Sequence, residues 1–473
     1  MMKNTVNISF INMLVSAALV LSIGSLGLSG SALAFDGDNP WPKAGPAKAF
    51  NLPVVQREML DNGLTGIYVP FGVVPKVTVV MQVQTGNLNE EGKVWVADLA
   101  ADMLKEGAGG VSGSVLSLRA AEMGGNISIS TSSNVTTFSL DVLSEHGPAA
   151  IALLGDIVMK PDFPETEFDR LKQDYIRNLT VSKTSPRSIA SEVFMAELYP
   201  NHPYGTIFPT EEALSGYTID DAKAYYRQNF GAKRTDIYIV GQFDHEEMKT
   251  AVKDTFATWL AGPAVLDMPP MPKTERLVKV IDRPGSSQST LYLGLPVALV
   301  TDADHTKLNV MNTLLGGAFS SRITRNIRED KGYTYSPRSS LSGAVASRYW
   351  VEVADVTSEH TGDSLKEIIW EIKNLQENVP DEPELTSIQN YMSGIFVLRN
   401  GSRGGIIGQL AYVKLHGLDD DYLSTYVGNV MDVTPNDIQS VAQKYLSVDE
   451  MTLVVVGVED DVKAQLAKVK FDK

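Results

Sequence analysis

A segment beginning at Tyr217, YTIDDAKAYYRQNFGAKRTDIYIVGQFD, can be laid without a gap on one beginning at Val433, VTPNDIQSVAQKYLSVDEMTLVVVGVED. Thr218 meets Thr434, Asp221 meets Asp437, Gly241 meets Gly457 and Asp244 meets Asp460, at a constant offset of 216. Each copy opens a helix with Thr-x-x-Asp, runs into an apolar strand ending in Val-Gly, then turns through an acidic residue into another helix. An offset of about half the chain implies duplication of a whole domain. At 473 residues the chain is also too long for one ordinary core. The expected class is therefore α+β, with two homologous α/β-sandwich domains, each a mixed, mostly antiparallel sheet packed with helices. They are expected over residues 51–260 and 276–473, joined by the Pro-rich linker 261–275.

The N-terminus is of another kind. Lys3 precedes an apolar run from Ile11 to Leu28, and Ala32 and Ala34 give the small-x-small pattern of a signal peptide cut after Ala34. An uncleaved anchor is the competing reading of so long an apolar stretch; the Ser and Gly residues within it favour export, with no stable membrane anchor after cleavage and a periplasmic destination. Residues 35–50, rich in proline, read as an extended arm. With no cysteine in the chain, disulfides, thiol catalysis and cysteine-bound metals are excluded. Removing residues 1–34 takes away one lysine and no acid, so the formal charge goes from −16 to −17. Nucleic acid and anionic membrane are poor partners for such a chain, because both require a basic face.

Apolar periodicity predicts strands at GIYVPF and VTVVMQVQTG, a helix at VWVADLAADMLKEG, another at SVLSLRAAEMGG, paired strands at NISISTS and VTTFSLDVL, and helices at GPAAIALLGDIVMK and ETEFDRLKQDYIRNLTVSK. In the first of these helices Asp98, Ala101, Asp102 and Lys105 fall opposite the apolar side. Two carboxylates one turn apart read as half of a cation site or as a solvated face, with Lys105 offsetting Asp102. The six histidines, at 146, 202, 245, 305, 360 and 416, include no i, i+4 pair and read as surface or turn residues. Neither a G-x-S-x-G elbow nor a phosphate-binding Gly-Lys-Ser/Thr loop is present.

In the second half, TKLNVMNTLLGGAFSSRITRNIREDKGYTYSPRSSL predicts a helix interrupted at Gly316 and Gly317, a second helix through Arg328, a turn at Gly332 and a strand through Tyr333 and Tyr335. The spacing Arg328, Glu329, Gly332, Tyr335 resembles the R-E-x-x-G-x-x-Y signature of the pitrilysin/insulinase family of zinc metallopeptidases (the inverzincins). MGGNISIST resembles that family's Gly-Gly turn and substrate-edge strand, and HPYG with FGAKRTDIYIVGQFD resembles the end of its first half. The resemblance implies a clam of two such domains in which Arg328 and Tyr335 bind substrate and donate to a scissile carbonyl gaining charge. It also implies that a peptide pairs with the edge strand Ile127, Ser128, Ile129 and Ser130. Without the surrounding match, an ion-paired Arg and a packed strand Tyr would be the plainer reading.

The family's zinc motif, H-x-x-E-H, falls on DLAAD. Asp98 and Asp102 stand at the histidine positions and Ala101 at the general base; Asp174 is the acid nearest the third ligand. Without a base these degenerate positions make no peptidase. Ca²⁺ on Asp98, Asp102 and Asp174 is one alternative, and loss of the site, leaving solvated acids, is the favoured one. The resemblance therefore implies a non-catalytic, substrate-binding subunit of an exported heterodimeric zinc endopeptidase, binding no metal itself, with zinc in a homologous H-x-x-E-H partner and peptide as substrate. An acidic cavity would favour peptides bearing positive charge. The alternative is a stand-alone peptide-binding or structural scaffold of the same fold; a self-sufficient hydrolase using the aspartates is opposed by the missing base.

Overall fold

The computed structural model describes residues 52–471, so the expected signal peptide and the whole of the expected arm lie outside the described residues. In chain order the first half contains β1 (Gln56–Met59), β2 (Thr65–Pro70), β3 (Lys76–Val83), α1 (Val96–Leu104), β4 (Gly107–Ala108), β5 (Val111–Ser112), α2 (Gly113–Glu122), β6 (Ser128–Thr131), β7 (Thr136–Leu143), α3 (Gly147–Met159), α4 (Glu165–Ser182), α5 (Pro186–Leu198), α6 (Glu211–Gly216), α7 (Ile219–Asn229), β8 (Thr235–Gly241) and α8 (His245–Phe256). The second half contains β9 (Leu277–Asp282), β10 (Gln288–Pro296), α9 (His305–Asn312), α10 (Arg322–Thr324), β11 (Arg338–Ala344), β12 (Ser347–Thr357), α11 (Thr361–Glu377), α12 (Glu382–Arg399), α13 (Arg403–His416), α14 (Tyr422–Met431), α15 (Pro435–Tyr445), β13 (Thr452–Gly457) and α16 (Glu459–Lys468). Residues 260–274 between them hold neither helix nor strand.

Two large sheets result, ordered β1-β2-β8-β3-β7-β6 and β11-β12-β10-β13-β9, beside a two-stranded β4-β5 pair. Read from opposite ends they are one design, with a single parallel pair in each, β2 with β8 and β9 with β13, at equivalent places. The extra edge strand β1 belongs to the first half alone. The sequence repeat lies on α7-β8-α8 and α15-β13-α16, where Thr218 with Asp221 and Thr434 with Asp437 close matching capping boxes.

Strands β8 and β13 are buried at every residue, as continuous apolar runs require when both faces are covered. On one face each sheet carries its own helices. On the other the halves exchange equivalent helices. Ile406, Ile407 and Leu410 of α13 pack on Ile67, Val69, Val80 and Tyr238 of the first sheet, while Ala190, Phe194 and Leu198 of α5 pack on Val351, Val454 and Val456 of the second. Each such side chain contributes roughly 1.5–3 kcal/mol by leaving water. Neither half therefore closes its sheet alone.

The exchanged helices are pinned by matching polar clusters. Arg403, at the start of α13, donates to Thr78 Oγ1 and Asp141 Oδ1, both at 2.9 Å, and Thr78 donates to Asp141 at 2.6 Å. Arg187, one residue into α5, donates to Asp355 Oδ2 at 2.7 Å, and Thr290 donates to the same carboxylate at 2.6 Å. Burial would raise Asp141, but hydrogen bonds from Lys76, Thr78 and Arg403 outweigh it and hold the carboxyl below its usual range.

Candidate functional site

The first-half motif helix is shorter than the run that predicts it and far more buried. Trp95, left-handed at φ 71°, starts α1, held by its indole N–H on the Ile207 carbonyl at 3.1 Å and by the rings of Tyr175 and Phe208. Ala101 is 2% exposed and Asp98 only partly exposed, so the face expected to be solvated is largely covered, with Asp102 and Lys105 keeping 25% and 38% of their side-chain exposure. The error lies in reading Asp as a marker of solvent when its polar partners come from distant segments.

Those partners are specific. Asn87 Nδ2 donates to Asp98 Oδ2 at 2.6 Å and to Glu90 Oε1 at 3.0 Å, and Glu90 also receives the Ala97 N–H at 3.0 Å. Lys105 and the Tyr175 hydroxyl take the two oxygens of Asp102, each at 2.7 Å. Burial pushes Glu90 up to about 8 and Asp98 up to about 6, against the pull of Asn87. Burial and the neighbouring Asp102 and Asp98 likewise hold Tyr175 protonated.

The expected third acid is not there. Asp174 faces Arg170 and Arg177, and the residue of α4 that enters the site is its neighbour, Tyr175. Glu90 joins the acids instead, a member that sequence spacing missed because it lies on the loop before the helix. A zinc ion needs free lone pairs on three ligands and a base for its water; here the acids are occupied by Asn87, Tyr175 and Lys105, and position 101 is alanine. Among the described residues no group of three His, Asp or Glu is placed to hold a metal. The donor set fits neither Zn²⁺ nor Ca²⁺.

In the second half the equivalent helix breaks. Helix α9 runs into a π-turn, Thr313–Gly317, and α10 into another, Arg325–Asp330. Gly316 is required for packing, since a Cβ there would lie 2.5 Å from Ser339 Oγ and 2.9 Å from Glu352 Oε2. Gly332, at φ 68°, then turns the chain with its N–H on the Arg328 carbonyl at 3.1 Å. The predicted strand through Tyr333 and Tyr335 is reduced to one bridge, Thr334 with Val356, and pairing resumes only at Arg338. Thr334 ties this loop down by donating to the Asp355 carbonyl at 2.6 Å.

Arg328 and Tyr335 are brought together. The guanidinium lies 4.9 Å from the Tyr335 ring and 4.3 Å from that of Phe319. Tyr335 is 80% and Phe319 67% exposed. Among the described residues no carboxylate pairs with Arg328, although the chain carries 57 Asp and Glu. The plainer reading, an ion-paired Arg beside a packed strand Tyr, is thus wrong on both counts. Phe319 had no signal of its own beyond its place after the glycine pair. The edge strand is present as Ser128–Thr131, pairing with β7 alone among the described residues; Ile127 lies just outside it. One histidine departs from expectation: His305 is 5% exposed, fixed between Arg348 at 2.8 Å and the Tyr422 hydroxyl at 3.0 Å.

Residues 73–209 match the family description Insulinase (Peptidase family M16), and residues 216–392 match Peptidase M16 inactive domain. The chain belongs to peptidase family M16. An uncharacterised zinc protease of Streptomyces coelicolor is 23% identical over 349 residues, 72% of this chain and 76% of that one. A non-peptidase homologue from Helicobacter pylori, YmxG, is 20% identical over 378 residues, 79% of this chain and 86% of that one. Among solved structures, an M16 inactive domain from Pseudomonas fluorescens superposes with a TM-score of 0.79 at 24% identity, covering 85% of this chain and 98% of that one. The periplasmic protease PqqL of Escherichia coli superposes at 0.73 and 17% identity, covering 88% of this chain but 47% of PqqL. The fold is thus the two-sheet M16 architecture, matching M16 inactive-domain structures. Among the described residues no helix is long and apolar enough to cross a membrane.

Proposed function

We propose that this M16 chain is the non-catalytic, peptide-engaging subunit of an exported, periplasmic two-chain zinc endopeptidase. A homologous partner bearing H-x-x-E-H supplies the zinc, and this chain supplies Arg328 and Tyr335. The observation that carries the reading is the unpaired Arg328 between two exposed aromatic rings. A guanidinium in an acidic protein ordinarily finds a carboxylate; one oriented by ring faces keeps its N–H donors free for a substrate carbonyl. The neighbouring phenol adds a second donor.

Reconstitution of the chain with its H-x-x-E-H homologue tests this. Arg328→Ala is expected to lower peptide turnover by the pair about 10²- to 10³-fold, the usual loss when one oxyanion donor is removed. Unchanged turnover would leave the scaffold reading.

A further inference from the structure

The second half holds a cleft of about 570 Å³, open between α9, β11 and the helices α12 to α14, that neither Arg328 nor Tyr335 lines. Its described lining includes two arginines, Arg338 and Arg399, four tyrosines, Tyr391, Tyr412, Tyr422 and Tyr426, and no acidic side chain. On a chain with a formal charge of −16 this is a local reversal of sign. Neither arginine side chain has a hydrogen-bonding or ionic partner among the described residues.

A third guanidinium stands behind the wall. Arg348, 7% exposed, has no carboxylate partner among the described residues and donates to His305 Nδ1 at 2.8 Å and Asn309 Oδ1 at 2.6 Å. Because Arg348 has only donors, Nδ1 accepts, while Nε2 lies 3.0 Å from the Tyr422 hydroxyl and 3.2 Å from Asn309 Nδ2. A buried positive charge thus backs the tyrosine wall, and a concave site lined by one sign of charge concentrates ions of the other.

We propose that this cleft binds a small aromatic oxyanion, its charged head held by Arg338 and Arg399 and its ring lying against the tyrosines. The guanidinium fork suits a carboxylate or a phosphate, tyrosines suit a planar ring, and the volume is that of a small-molecule site. The peptide-engaging role of Arg328 and Tyr335 does not depend on it.

Calorimetric titration of the full chain at low salt tests the site with hippurate, phenyl phosphate, the neutral hippuramide and inorganic phosphate. At least one aromatic oxyanion is expected to bind with Kd below about 1 mM, and the tighter of the two identifies the head group. Arg338→Gln/Arg399→Gln, both exposed and unpaired, should weaken that binding at least about tenfold without altering the thermal midpoint. The proposal is overturned if hippuramide binds as tightly as hippurate, if inorganic phosphate matches phenyl phosphate, if the double variant binds like the parent, or if no probe binds at millimolar concentration. Since binding is read on the isolated chain, any of these results leaves the role of Arg328 standing.

Discussion

The two halves share a five-strand order, matching capping boxes, an exchanged helix and an Arg-Asp-Thr cluster, yet differ in what they do with the helix beside the sheet. In the first half that helix is regular and its acids are closed off by Asn87, Tyr175 and Lys105. In the second it breaks into π-turns and leaves Arg328 open between Phe319 and Tyr335. What the two copies share serves folding; where they differ, one half closes its acids off and the other leaves a guanidinium between two exposed rings.

The exchange is the shared feature whose loss should cost most. Phe194, 1% exposed on α5 against the second sheet, is expected to cost about 3–5 kcal/mol as Phe194→Ala, read as a lower denaturant midpoint. If the two halves were independent, only one of two separate transitions would move; because each covers the other's sheet, a single transition should shift as a whole. Arg328→Ala is the contrasting test: roughly 10² to 10³ in turnover by the assembled pair, equivalent to about 2.7–4 kcal/mol in the barrier, with unfolding shifted by no more than about 1 kcal/mol, since only its contacts with the Phe319 and Tyr335 rings are lost.

The closed acids of the first half predict a pH dependence with no counterpart at Arg328. Glu90 is pushed up to about 8 when folded, above its ordinary value, so between about pH 4.5 and 8 the folded chain holds a proton that the unfolded chain has lost. Stability is therefore full below that window and falls as pH rises through it, by up to roughly 1.4 kcal/mol per pH unit. Asp98, pushed up to about 6, adds a smaller fall over about pH 4–6. Glu90→Gln should flatten the upper part of the slope and raise stability at pH 8, measured by urea unfolding across pH. A slope unchanged by the substitution would show that Glu90 is not the group responsible.

Local patterning made most of the elements legible. The alternating segments became β6 and β7, and the repeat located equivalent strands and caps a full half-chain apart. Arg328, Gly332 and Tyr335 were singled out by family resemblance; their spacing alone favoured an ion-paired Arg and a packed strand Tyr, and the structure instead brings Arg328 and an exposed Tyr335 together. What could not be read depends on tertiary partners. Helical spacing cannot tell a solvated Asp from one capped by Asn87, nor reveal that Tyr175, rather than Asp174, turns inward from α4. It also gave no sign that α5 and α13 cover the opposite sheets, since an apolar stripe does not name the surface it meets. His305 was misread for the same reason, its partner Arg348 lying 43 positions away.

The smallest expected difference is between the two arginines that pin the exchanged helices. Arg403 is 23% exposed and meets both Thr78 and Asp141, whereas Arg187 is 47% exposed and meets Asp355. The more shielded cluster should lose more: about 1–2 kcal/mol for Arg403→Ala against about 0.5 kcal/mol for Arg187→Ala, by denaturant midpoint. Arg187 has a further neighbour, however. Its Nη2 lies 3.5 Å from Ser336 Oγ, next to Tyr335, while Asp355, its ion-pair partner, gives its carbonyl to Thr334. Arg187→Ala should therefore loosen the Tyr335 loop and raise the KM of the assembled pair for peptide, whereas Arg403→Ala should leave KM alone. Equal KM effects from the two substitutions would break the distinction between shared scaffold and specialised site, because α13 on the first sheet would then matter to peptide as much as α5 beside Tyr335.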